Sequence, residues 1–176
     1  AELGFDGVEI FPRGTESVDK NQFQDLLSTH NLQFAAMGTG AGMLVHNLSL
    51  TSKDINTRNK ATEFIKSIID FAGNLGAPAI IGSMQGRHGN GTSKEQAIEW
   101  LSSGLNELGE YANEYKTPLL YEPLNRYETN LFNTIGDTVR YLNTLDCENI
   151  KILADLFHMN IEEKCIHQAI QNSGNK

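Results

Sequence analysis

Short apolar runs rich in branched residues alternate along this chain with longer stretches of helical period, and repeated β-α units are the arrangement that satisfies both periods at once. Five runs stand out: Gly7-Val8-Glu9-Ile10-Phe11, Phe34-Ala35-Ala36-Met37, Ala79-Ile80-Ile81-Gly82, Leu119-Leu120-Tyr121-Glu122 and Lys151-Ile152-Leu153-Ala154-Asp155. Strands covered by helices read as near-continuous apolar segments, which points to a parallel sheet. Each run passes into polar or glycine-rich residues, so each ends in a loop able to carry chemistry.

The intervening stretches carry their own signals. Ala61, Phe64, Ile65, Ile68, Ile69, Ala72 and Leu75 recur at steps of three and four residues, with Gly76 as a stop. Ser93 and Gln96 stand in capping-box spacing ahead of a stripe of Ala97, Trp100, Leu101, Leu105, Leu108 and Ala112, expected to end near Lys116 before Pro118. Weaker patterns predict helices from about Val18 to His30, Thr134 to Asn143 and Ile161 to Asn172, with Asn31 and Gly174 as stops. No linker or repeat interrupts them. At 176 residues and 39% hydrophobic content, one domain over residues 1–176 is expected.

Charge and cysteine usage exclude several function classes. Acidic residues outnumber basic ones by 22 to 14, and a net charge of -8 without a basic cluster repels a phosphate backbone, so no nucleic-acid partner is expected. The longest apolar runs fall far short of the roughly 20 residues that span a bilayer, so no membrane partner is expected either. Cys147 and Cys165 are too few and too poorly spaced for a disulfide framework or a zinc knuckle, which fits a reducing, cytoplasmic setting. Ala1-Glu2-Leu3-Gly4 shows neither the basic nor the apolar segment of a signal peptide, and the missing initiator Met suggests that the chain does not begin at its natural start.

Periodicity alone leaves an open doubly wound sheet and an eight-stranded barrel both standing. Phe11-Pro12-Arg13-Gly14 lacks the G-x-G-x-x-G of a dinucleotide site. Gly38-Thr39-Gly40-Ala41-Gly42 lacks the Lys-Ser or Lys-Thr ending of a P-loop, so it is read as a mobile loop, with phosphate cradling as the lesser alternative.

Two segments place acids where barrel enzymes place reactive groups. In Tyr121-Glu122-Pro123-Leu124-Asn125-Arg126-Tyr127-Glu128 a carboxylate is the last residue of an apolar strand, held extended by the proline that follows. In Ile152-Leu153-Ala154-Asp155-Leu156-Phe157-His158 an acid again sits at a strand end, with an imidazole three residues on. Adjacent strands then present Glu122 and Asp155 at one mouth, where their repulsion calls for a divalent cation. Each residue alone has a plainer reading. Glu122 reads as a solvated acid, Asp155 as the cap of the next helix, and His158, like His30, His46, His88 and His167, as an ordinary histidine. The conjunction favours metal.

At these segments the chain resembles the ketose 3-epimerases, the tagatose and psicose epimerase group of the xylose-isomerase-like barrels. The likeness rests on Glu122-Pro123-Leu124-Asn125-Arg126-Tyr127-Glu128, continued in Thr129-Asn130 and Asn133-Thr134, and on Asp155-Leu156-Phe157-His158-Met159-Asn160-Ile161-Glu162-Glu163. Gly4-Phe5-Asp6-Gly7-Val8-Glu9-Ile10 and Gly82-Ser83-Met84-Gln85-Gly86-Arg87 support it less specifically. The resemblance implies an α/β TIM (β/α)8 barrel, here a partial one carrying strands 2–6, whose two open edges a closed barrel would not have. It implies a metal-dependent sugar isomerase or epimerase that epimerises a ketose at C3 through an enediolate. In that reading Glu122 is a metal ligand and catalytic acid or base, Asp155 is a metal ligand, and Glu128 and His158 bind the sugar substrate. The family's later histidine ligand, substrate-binding arginine and second catalytic glutamate are not in this sequence. Oxygen ligands with one imidazole suit Mn2+, with Mg2+ or Co2+ as alternatives. The resemblance also admits a homo-oligomer.

The same scaffold serves hydroxypyruvate isomerases, inosose dehydratases and apurinic endonucleases. The last are disfavoured by the acidic charge and by the absence of a proline after His88. A non-catalytic sugar-binding or assembly module is the alternative from another class. Substrate choice is assigned to the loops Met37 to Asp54 and Gln85 to Ser93.

Overall fold

All five apolar runs form strands, and in the computed structural model they pair in parallel in chain order: β1 (Gly7–Ile10), β2 (Gln33–Gly38), β3 (Ala79–Ile81), β4 (Leu119–Tyr121) and β5 (Ile150–Ile152). A doubly wound sheet reverses its strand order where the helices change face. Here every strand neighbours the next in sequence, so right-handed crossovers stack on one side, as in a barrel wall. The structure describes residues 3–176. Ala1 and Glu2, which open both the expected domain and the stretch read for a leader, lie outside the described residues.

The helices are α1 (Lys20–His30), α2 (Ala41–His46), α3 (Ile55–Gly73), α4 (Lys94–Asn113), α5 (Ile135–Leu142), α6 (Leu156–Glu162) and α7 (Ile166–Ser173). The core lies between the sheet's outer face and α3 and α4. Ile65, Ile68 and Ile69 pack there with Leu101, Leu105 and Leu108 against Ile81, Tyr121 and Ile150, all essentially removed from water. Registers Met37↔Ala79 and Ile81↔Tyr121 send these side chains outward, so the alternate residues Gly38, Ile80 and Leu120 line the inner face. No helix of the described residues is long and apolar enough to cross a membrane.

Local signals set most boundaries. Asp19 caps α1 by accepting the Gln22 N–H, and Asn31 ends it with φ 49°. Ser93 caps α4 as expected, but the Gln96 amide turns to Glu99 at 2.8 Å instead of back to the cap, so only half of the capping box forms. That helix stops at Asn113, and Lys116 takes the left-handed turn with φ 59° before the next strand.

Two expectations are corrected. The glycine-rich segment read as a mobile loop opens α2, and its glycines serve close packing: Gly38 lies under the Phe11 ring and Gly42 against Met84, where a Cβ would collide. The helix expected from Ile161 to Asn172 is two helices. α6 starts earlier, capped by Asp155, and Glu163 is extended between α6 and α7 while its carboxylate accepts the Ile135 N–H at 2.7 Å. That long-range bond competes with continuation of the helix, which the apolar spacing alone would allow.

Candidate active site

Glu122 is the first residue beyond β4, and its N–H still donates to the Ile81 carbonyl at 3.0 Å, so the strand ladder aims it. Its own carbonyl accepts from the Gln85 amide at 3.0 Å, and the Gln85 side-chain oxygen accepts the Tyr121 hydroxyl. Gln85 is fully buried and so braces the strand end from below. The carboxylate lies over Gly82, where a Cβ would come within 2.7 Å of Glu122 Oε2. The glycine leaves the notch that the carboxylate fills.

Asp155 departs from its expected place. β5 ends at Ile152, and Asp155 is the N-cap of α6, with Oδ1 accepting the Phe157 N–H at 2.7 Å. The plainer reading of this residue as a helix cap therefore holds, and it does not displace the other one. Asp155, Glu122 and His158 each offer a ligand atom, and these atoms all lie within 4.8 Å of one another. His158 follows its cap by three residues on the same side of the helix, which brings the two together. The other histidines belong to no such group among the described residues.

His158 is 7% exposed, and its Nε2 lies 3.7 Å from Glu122 Oε1. On the other side of the ring, Nδ1 is 2.8 Å from Asn125 Nδ2, and Glu128 Oε1 lies 2.9 Å from that same amide nitrogen. The structure thus gathers Glu122, Asp155, Glu128 and His158 at one mouth.

Burial, joined by the negative charge of Asp155, Glu9 and Glu128, pushes Glu122 up to about 7. Glu9 is pushed up too, first by burial and then by Asp155. Sequence reasoning quoted Glu9 without giving it a role. The available signal was strand alternation: Ile10 packs outward on the core, so Glu9 faces inward. Glu9 belongs to β1 and Asp155 follows β5, so the charge of Asp155 felt at Glu9 places acids of both edge strands at the same mouth.

The loops assigned to substrate choice are joined into one shelf. Thr51 Oγ1 donates to the Arg87 carbonyl and accepts the Arg87 N–H, Thr129 Oγ1 donates to the Gly86 carbonyl, and His88 and Asn130 bond reciprocally at 2.9 and 3.0 Å.

With a parallel sheet in chain order and acids gathered at one mouth, kinship is decided by a match of residues 1–172 to the family described as xylose isomerase-like TIM barrel. The chain belongs to that family. Among curated relatives, a probable ketose 3-epimerase of Synechocystis sp. is 28% identical over 179 residues, covering 98% of this chain and 60% of the relative. A D-psicose 3-epimerase of Ruminiclostridium cellulolyticum is 28% identical over 183 residues, covering 99% and 60%. A solved D-allulose 3-epimerase from Methylomonas sp. superposes with a TM-score of 0.84 at 26% identity, covering 98% of this chain and 60% of that one. The chain thus spans about 60% of the length of the curated relatives it matches.

Proposed function

We propose that this xylose isomerase-like chain forms the metal-binding face of a sugar epimerase that inverts a ketose at C3. One observation carries the reading: Glu122, Asp155 and His158 converge within 4.8 Å, while Glu122 is raised to about 7 among other carboxylates. The burial and the repulsion that raise Glu122 are what a divalent cation beside it would offset. Glu122 and Asp155 are the ligands this chain supplies, in keeping with the notch over Gly82 that seats the first. An oxygen-rich donor set favours Mn2+ and accommodates Mg2+ or Co2+. Bound there, the ion supplies Lewis-acid polarisation of the substrate carbonyl.

The chain's own groups account for the remaining roles. Glu122 has two carboxylate oxygens, so it could hold the cation and still act on the substrate. A carboxylate of raised proton affinity suits removal or return of the proton on the carbon beside the carbonyl. Glu128, exposed on the rim, accepts from a sugar hydroxyl, and His158, beside it on the Asn125 amide, contacts another substrate oxygen. The names of the relatives support a ketose as substrate. Two free cysteines, one of them exposed, suit a reducing cytoplasm.

The test is Mn2+ titration, by calorimetry, of the chain extended to the full length of its relatives, followed by incorporation of solvent deuterium into a ketose. Binding is expected, and Glu122→Gln is expected to abolish exchange of the carbon-bound proton with the fold intact. Absence of Mn2+ binding, or exchange unaffected by Glu122→Gln, would remove the reading.

A further inference from the structure

Asn125 is 2% exposed, and every polar atom of its side chain is engaged. Its Oδ1 accepts the Tyr127 N–H at 3.0 Å, which identifies the oxygen and fixes the opposite atom as the amide nitrogen. That nitrogen has two hydrogens and two neighbours, Glu128 Oε1 at 2.9 Å and His158 Nδ1 at 2.8 Å. The Asn125 backbone N–H adds a second donor to the same ring nitrogen, at 3.2 Å.

Neither donor can accept a hydrogen. The neutral His158 ring therefore carries its lone pair at Nδ1 and its hydrogen at Nε2. Glu128 offers no alternative partner to Nδ1, because its Oε1 lies 3.8 Å away with the Asn125 amide bridging the two. A hydrogen on Nδ1 would meet two N–H groups head-on. The ring nitrogen that faces Glu122 is thus the protonated one, and a nitrogen bearing a hydrogen has no lone pair to give a cation.

A second contact holds this arrangement. The Arg126 N–H donates to Glu162 Oε1 at 2.7 Å, and the Arg126 guanidinium grips both oxygens of the same carboxylate at 2.9 Å each. Arg126 adjoins Asn125 and Glu162 ends the helix that carries His158, so this bidentate pair clamps the donor loop to the acceptor's helix.

We propose that Asn125 is a positioning residue that holds His158 with Nδ1 as acceptor and Nε2–H directed into the mouth. That Nε2–H is the group through which the substrate contact already assigned to His158 is made, and the same amide keeps Glu128 beside it. The substrate contact rests on the proposed function; the ring's protonation pattern does not.

The experiment is a long-range proton–nitrogen correlation spectrum of the chain labelled with 15N-histidine, recorded with chelator at about pH 8, where an ordinary imidazole is neutral. Loss of one signal set in His158→Gln assigns the ring. Nδ1 is expected to resonate as the unprotonated nitrogen and Nε2 as the protonated one, and both are expected to stay so when diamagnetic Mg2+ is added. Asn125→Asp, which replaces the shared amide hydrogens with a carboxylate oxygen, is expected to bring a hydrogen onto Nδ1. A protonated Nδ1 in the unaltered chain overturns the proposal. So does loss of the Nε2 hydrogen on adding Mg2+, or an Asn125→Asp ring unchanged in a chain whose amide spectrum is otherwise preserved. If Asn125→Asp does not fold, the unaltered chain alone decides. Failure of Mg2+ to bind counts against the metal reading, while the spectrum with chelator still decides the role of Asn125.

Discussion

Glu122→Gln in the metal-free chain is expected to raise stability, and to do so only at neutral and alkaline pH. The folded carboxyl ionises at about 7 where an ordinary glutamate ionises at 4.5. Below 4.5 the group is protonated in both folded and unfolded chains and costs nothing. As pH rises from 4.5 to 7 the unfolded chain has released a proton that the folded chain still holds, so stability falls; above 7 both are ionised and the full penalty stands. That interval corresponds to about 3 kcal/mol at ~1.4 kcal/mol for each pH unit, and water in the open mouth reduces the expectation to about 2 kcal/mol. Glutamine keeps the shape and cannot ionise, so it escapes the penalty. In a chain of this size the gain is a rise in Tm of about 4–8 °C at about pH 8 and close to none at about pH 4. Thermal or urea unfolding with chelator present measures it. Adding Mn2+ should reverse the order, because binding stabilises the unaltered chain in proportion to occupancy and leaves the variant behind. An equal gain at both pH values, or none at about pH 8, would refute the account of Glu122 as a carboxyl raised by burial and by neighbouring charge.

The double employment of Asp155 separates by substitution. Asn caps helices about as well as Asp, so Asp155→Asn should preserve α6 while lowering Mn2+ affinity by at least about 10-fold in calorimetry. Asp155→Ala should unfold more easily than Asp155→Asn by about 1 kcal/mol, the worth of the lost cap to Phe157. In the core, Leu105→Ala removes a fully buried side chain packed between α4 and the sheet and should cost about 2–5 kcal/mol in urea unfolding, with the denaturant dependence unchanged.

The strands, α3, α4 and the pair of acidic segments were legible because the information is local. A run such as Ala79-Ile80-Ile81 is apolar because it is covered on both faces, and Ser93 precedes its helix whatever the rest of the chain does. Asp155 was harder. Its segment reads as one apolar run into an acid, but β5 ends at Ile152, and the cap bond to Phe157 starts α6 at once. The interruption between α6 and α7 was invisible for a related reason. Glu162, the last residue of α6, and Glu163, the first beyond it, turn their carboxylates to Arg126 and the Ile135 N–H, partners 36 and 28 residues away. Asn125 stood within the segment that was singled out, yet nothing in its neighbourhood assigns it a function until the His158 ring lies against it.

The amino-acid sequence by itself determined the β-α alternation, the acids that end two of its units and the membership of a recognisable barrel type, because periodicity, capping and motif spacing act over a few residues. Periodicity left a barrel wall and an open doubly wound sheet both standing, and strand order shows the wall directly. The chemistry of the mouth came only with the fold. Glu122 owes its raised proton affinity to burial and to charges from β1, from its own loop and from the start of α6. The hydrogen on His158 is placed by an amide 33 residues earlier. Desolvation, charge repulsion and hydrogen-bond direction depend on distance in space, and those distances exist only once the chain has folded.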